Sequence, residues 1–217
     1  MDMDIDPVAY IGAATRTVTT REHDGAPAHV VTAARTYDTD PQDLWDAITS
    51  AERLPRWFLP VSGDLRPGGR YQLLGNAGGE ITACEPPRFL AVTWEYGGEV
   101  SWVTVELSAD PDGGTRLALE HIAHVDEERW DQYGPGAAGV GWDMALMGLE
   151  LHVSTRAAVD PQAAESWFAS PSGRAFVERS SEDWGRASVA SGTDEEAATA
   201  AARRTSAFYT GAAEPPA

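Results

Sequence analysis

The sequence predicts an α+β domain in which a curved antiparallel sheet wraps a long C-terminal helix around an apolar cavity, with a helical extension behind it. Three observations predict it. From about Arg70 to Val125 apolar residues alternate with polar ones, in runs joined by turns too short for a parallel crossover. From Pro135 to about Ala158 the apolar period becomes helical. Ahead of both stand a hairpin pattern and a short helix with a clear cap.

The elements follow in order. Residues 1–10, carrying Asp2, Asp4 and Asp6, read as a disordered acidic tail. Between Ala13 and Tyr37 two strand-like runs flank His23-Asp24-Gly25-Ala26, and Asp-Gly is a strong hairpin signal. Asp40 is placed as an N-cap, Pro41 suits the first helical position, and Asp43 favours the positive helix end. Leu44, Trp45 and Ile48 then form one apolar face. A second short helix is expected from Ser50 towards Trp57, interrupted by Pro55.

Strand runs are expected at 70–74, 79–84, 88–96, 99–108 and 114–123, separated by Gly- or Pro-containing turns. Parity puts Leu90, Val92, Trp94 and Tyr96 on one face with Val103, Val105, Leu107, Leu117, Leu119 and His121. The opposite face carries Thr93, Glu95, Thr104, Glu106 and Glu120, so one side is core and the other is solvated. Trp102 falls on the polar side and calls for a cover.

The long helix carries two adjacent apolar stripes: Val140, Met144, Met147, Leu151, and Trp142, Leu146, Leu149, Val153. That breadth exceeds what one sheet face covers. A helix from Ser170-Pro171 to near Gly192 supplies Phe176, Val177 and Trp184. Another starts at the capping box Thr193-Asp194-Glu195-Glu196 and runs to about Phe208. The organisation expected is thus a tail over 1–10, the sheet-and-helix domain over 11–160, and a helical extension over 161–217 docked on it. Trp184 is expected to bury itself against the outer side of the long helix, and Trp102 to be covered by the extension or by a second subunit.

Composition excludes several partners. The 217 residues carry a formal charge of −18, and the 16 basic residues are all arginine. Such a field repels phosphate backbones and anionic lipid, so neither nucleic acid nor membrane is expected. One cysteine, Cys84, rules out an intramolecular disulfide and a multi-thiolate zinc site. The acidic N-terminus lacks a leader pattern, and no run approaches the ~20 apolar residues of a membrane helix. A cytoplasmic protein is expected.

Local wording adds a resemblance. Ala34-Arg35-Thr36-Tyr37, Asp43-Leu44-Trp45-Asp46-Ala47-Ile48-Thr49 and Glu52-Arg53-Leu54-Pro55-Arg56-Trp57-Phe58 are followed by Pro67-Gly68-Gly69-Arg70-Tyr71, Glu85-Pro86-Pro87 and Gly114-Thr115-Arg116-Leu117. Over residues 28–155 this resembles the bacterial branch of the activator of heat shock protein 90 ATPase homologues. Those proteins lie within the START-like, polyketide-cyclase-like (SRPBCC) superfamily. The resemblance implies a helix-grip fold with a hydrophobic cavity, and a chaperone as one partner.

Trp57, Tyr71, Trp94, Val103, His121, Trp142 and Leu146 are the expected cavity lining, since parity and helical phase turn them towards the space between sheet and helix. The plain alternative is a filled core. His121 suits a hydrogen-bond anchor or a proton carrier, against the plain reading of a satisfied core histidine. Cys84, at opposite parity to Ile81 and Ala83, has no base or glycine elbow beside it and is not read as a nucleophile. Gly134-Pro135-Gly136-Ala137-Ala138-Gly139 matches a dinucleotide fingerprint by spelling alone, because no apolar strand precedes it. Those glycines are read as letting the helix start approach the sheet. Asp143 and Glu150 read as the helix's solvated strip, and with His121 and His152 lack metal-site spacing. The function expected is non-catalytic binding of a small apolar molecule, lipid-like or aromatic, with no cofactor, no metal and no catalytic residue. The alternatives are a chaperone-associated interaction protein and a cyclase-type enzyme using His121 or Asp143. A homodimer is a further expectation.

Overall fold

The computed structural model describes residues 7–212. The order is α1 (Pro7–Gly12), β1 (Thr15–His23), β2 (Ala26–Tyr37), α2 (Pro41–Thr49), a 3₁₀ turn (Leu54–Arg56), β3 (Val61–Gly63), β4 (Arg70–Leu73), β5 (Gly78–Glu85) and β6 (Phe89–Tyr96). Then come β7 (Glu99–Ala109), β8 (Thr115–His124), α3 (Glu127–Tyr133), α4 (Gly136–Thr155), α5 (Pro161–Phe168), α6 (Pro171–Ala190) and α7 (Glu195–Thr210). The strands form one sheet in the order β1-β2-β8-β7-β6-β5-β4-β3. The fold is α+β, of the helix-grip class, with an antiparallel sheet and α4 as its long helix. The first six residues of the expected tail lie outside the described residues, and Pro7–Tyr10 belong to α1.

The chain divides into two compact units. Among the described residues, one holds 7–33, His124–Met144 and 160–212; the other holds Ala34–Ala123 and Ala145–Val159.

In the first unit, Asp24 and Gly25 both have positive φ and close the β1–β2 hairpin as read from the sequence. The polar stretch after β8 forms α3, capped by Asp126, whose carboxylate accepts from Arg129 N. This helix and α5 were not expected; neither has a long apolar period to announce it. On α6 Ser170 is the N-cap, accepting from Gly173 N, with Pro171 in the first turn. The cap of α7 is Asp194 rather than Thr193: its carboxylate takes Glu196 N and Ala197 N. Trp184 is 1% exposed, and its indole lies where a Cβ on Gly139 of α4 would sit, 2.2 Å from Trp184 Cε2. A Cβ on Gly136 would meet Thr205 Cγ2 at 2.9 Å. The glycines at the start of α4 therefore admit Trp184 of α6 and Thr205 of α7, which corrects their expected role towards the sheet.

The second unit contains the meander. Asp40 caps α2, accepting from Gln42 N and Asp43 N as expected. The second helix is only the 3₁₀ turn around Pro55, since proline forbids continuation. In register, Val92 faces Val103 and Val103 faces His121 across three strands, as parity requires. Two features tie α4 here. Tyr37 Oη donates to Leu146 O at 3.2 Å, and Gly148 leaves room for the Trp57 carbonyl, which a Cβ would approach to 2.6 Å. Trp102, half-buried, stands opposite Thr93 and Ile122.

Candidate functional site: a half-open apolar sheet face

The inward side chains of β7 and β8 are buried: Val103, Val105, Leu107, Leu117 and Leu119. Their neighbours on β6 are not. Leu90, Val92 and Trp94, on the same face, are each only half-buried. Tyr96, next in that row, is 62% exposed. Beside them Tyr71, Leu73 and Ile81 form a small buried cluster, on which Phe58, Leu59 and Val61 pack, also half-buried. The apolar face is thus filled over β7–β8 and at Ile81, and half-open over β6 and the Cys84 end of β5.

Cys84 joins this cluster. The register slips between Ile81 and Ala83, a β-bulge, so Cys84 comes opposite Leu90. The slip reverses the parity that a continuous strand would have and turns the thiol to the apolar side, correcting the outward placement. Burial pushes the thiol above its ordinary value, so it stays protonated near neutrality.

The polar atoms bordering the open face are engaged with protein. Tyr71 Oη donates to Thr93 O at 2.7 Å, and burial pushes its ionisation well up. Trp57 Nε1 donates to Ala47 O at 2.9 Å, with its ring stacked on Phe58 at 5.4 Å. Ser101 Oγ gives its proton to Trp94 O at 3.1 Å. In the 3.0 Å bond between Ser101 Oγ and His121 Nε2 the imidazole is therefore the donor. The His121 ring lies 6.4 Å from that of Trp94. Burial lowers the pKa of His121 to about 4, so it is neutral at pH 7.

Of the expected lining, Tyr71 and Trp94 share one cluster, while Val103 and His121 are cross-strand partners next to it. Trp57 borders Phe58 and α4, and Leu146 is buried beneath Tyr37. Trp142 belongs to the first unit. Phe58, Leu59, Val61, Cys84, Leu90 and Val92 also pack on this cluster and were not in the expected lining. The run Phe58-Leu59-Pro60-Val61 was the available signal for three of them; nothing in the sequence marks the bulge.

The other titratable candidates are structural. Asp143, 1% exposed in the first unit, accepts from Arg16 Nε and Nη2 at 3.0 Å each, from Ser180 Oγ at 2.5 Å and from Trp184 Nε1 at 3.1 Å. Burial pushes its pKa up against the pull of these donors, of which Arg16 is the strongest. It is no solvated strip residue, and its oxygens are committed. Glu150 reaches Arg35 at 3.4 Å. His152, 1% exposed, donates from Nδ1 to Ala157 O at 2.7 Å and accepts Arg53 Nε at 3.3 Å. Asp43 takes Thr39, Arg53 and Arg156. Among the described residues no group of three or more His, Cys, Asp or Glu is placed to hold a metal, and no helix is long and apolar enough to cross a membrane.

An antiparallel sheet with an apolar, partly open inner face beside a long helix defines a helix-grip protein of the START-like, polyketide-cyclase-like superfamily. More particularly, the family model described as activator of Hsp90 ATPase homolog 1-like protein matches residues 38–154, and the chain belongs to that family. Among solved structures it is similar to CalU16 from Micromonospora echinospora. The crystal structure is 31% identical, with a TM-score of 0.64, covering 83% of this chain and 99% of that one. The solution structure of CalU16 gives 33% identity and a TM-score of 0.68 over 82% and 97%. DynU16, described as a protein in the dynemicin biosynthetic locus, shares the fold at 18% identity and a TM-score of 0.51, over 59% of this chain and 48% of that one. No curated protein matches the chain.

Proposed function

We propose that the protein binds a small apolar molecule, without catalysing its conversion, on the open face of β5 and β6. One observation carries this reading: the inward residues of β6 are only half-buried where those of β7 and β8 on the same face are buried. A folded protein rarely leaves adjoining apolar side chains wet without a use for them. Phe58 and Trp94 offer rings for stacking, while Leu59, Val61, Leu90 and Val92 supply aliphatic walls. Membership of a superfamily with a ligand-binding fold supports the reading. No proton transfer is assigned, because His121 is tied to Ser101 and His152 to Ala157 and Arg53.

Cys84 makes the test direct, since it is the only cysteine of the chain and lies on this face. The measurement is the rate of Cys84 alkylation by N-ethylmaleimide with and without N-phenyl-1-naphthylamine. Saturating probe is expected to slow alkylation, and Trp94→Ala to weaken probe binding about tenfold, the loss of part of one aromatic contact. Unchanged alkylation together with unchanged probe affinity in the variant refutes the reading.

A further inference from the structure

We infer that this open face selects uncharged aromatic ligands and rejects anions of the same shape. The inference rests on the binding reading above and adds the ligand's charge to it.

An anion entering a protein surface gives up water and needs a cation or several donors in exchange. This face offers neither. The arginines of the unit are drawn to acids or to solvent. Arg53 and Arg156 are held by Asp43, Arg35 by Glu150, and Arg70 by Glu95 on the outward side of the sheet; the others are exposed. The hydroxyl and indole donors bordering the face, on Tyr71, Trp57 and Ser101, are given to backbone carbonyls. Among the described residues, what remains towards a ligand is hydrocarbon and ring surface from Phe58, Leu59, Val61, Leu90, Val92 and Trp94, and the one indole N–H of Trp94 is not the several donors an anion needs. His121, the titratable ring beside Trp94, donates its Nε2 proton to Ser101 and carries no charge at neutral pH. An uncharged ring system loses little water on entering and gains offset stacking against Trp94 and Phe58.

The net charge of −18 also repels anions, but over a distance that salt shortens. Desolvation at the face itself is not screened. That difference separates a local cause from a global one.

The experiment titrates the full chain with N-phenyl-1-naphthylamine and with 8-anilino-1-naphthalenesulfonate, which differ by one sulfonate. The neutral probe is expected to bind at least about tenfold more tightly. The ratio is expected to persist at about 0.5 M salt, where long-range repulsion is screened. Val92→Arg, which places a cation on the face, is expected to narrow it. Equal or tighter binding of the sulfonate, or a preference that vanishes in salt, overturns the inference while leaving the binding reading standing. If neither probe binds, the binding reading fails and the inference falls with it.

Discussion

Side chains on the sheet face divide into those that sense pH and those that do not. His121 has a folded pKa of about 4, below its ordinary value of 6.5, because burial disfavours the imidazolium. The unfolded chain therefore binds the proton more readily, and stability falls as pH drops from about 6.5 to about 4. The loss should be on the order of 2–3 kcal/mol, and flat below that window. His29 and His152 are also lowered, chiefly by burial, and add in the same direction. Asp43 acts in a lower window. Desolvation opposes its ionisation, but Thr39, Arg156 and Arg53 hold its pKa at about 2, against 3.8. Its contribution is complete above about 3.8 and lost as pH falls through 2. Urea unfolding at stepped pH should show both windows. His121→Gln should shrink the upper one and Asp43→Asn the lower, and an unaltered profile in either variant contradicts the assignment. Tyr71, Trp94, Val103 and His121 were legible as a group because alternation survives wherever a strand is regular. Cys84 was not, because a bulge changes facing without changing composition.

At the scale of elements, the first unit sets a buried ion cluster among buried apolar side chains that include Ile11, Val30, Val140, Phe176 and Val177. Arg16 before the middle of β1 meets Asp143 on α4, while Ser180 and Trp184 of α6 bond the same carboxylate. Arg16 also donates to Ile11 O and Ala14 O, drawing in the turn after α1. Asp143→Ala leaves Arg16 with only the longer contact to Asp183 at 3.6 Å and takes the acceptor from Ser180 and Trp184, which costs about 3 kcal/mol. Denaturant unfolding should show that loss; a variant within about 1 kcal/mol of the wild type contradicts the hub, since only exposed pairs are so weak. The docking of Trp184 on α4 could be read from the sequence, because an over-broad apolar helix and a tryptophan without a core call for each other. The acid at its centre could not. At i and i+7, Asp143 and Glu150 look like one wet strip, and only the placement of Arg16 separates their environments. The helices α3 and α5 escaped for a simpler reason: seven or eight residues are too few to establish a period.

For the whole molecule, the meander, its turns and the long helix were written in periodicity, and the family match rests on the segment that contains them. What periodicity does not encode is whether an apolar face is filled. Leu90, Val92 and Trp94 have the same parity as Val103 and Val105 and the same chemistry, yet one strand is half-open and the other closed. The central claim is that this difference is a binding site. It is tested most directly by methyl-resolved NMR of the protein titrated with N-phenyl-1-naphthylamine. The account predicts ring-current shifts at Leu59, Val61, Leu90 and Val92, with Leu107 and Leu117 unmoved. Shifts confined to other methyls, or none at saturating probe, would contradict it.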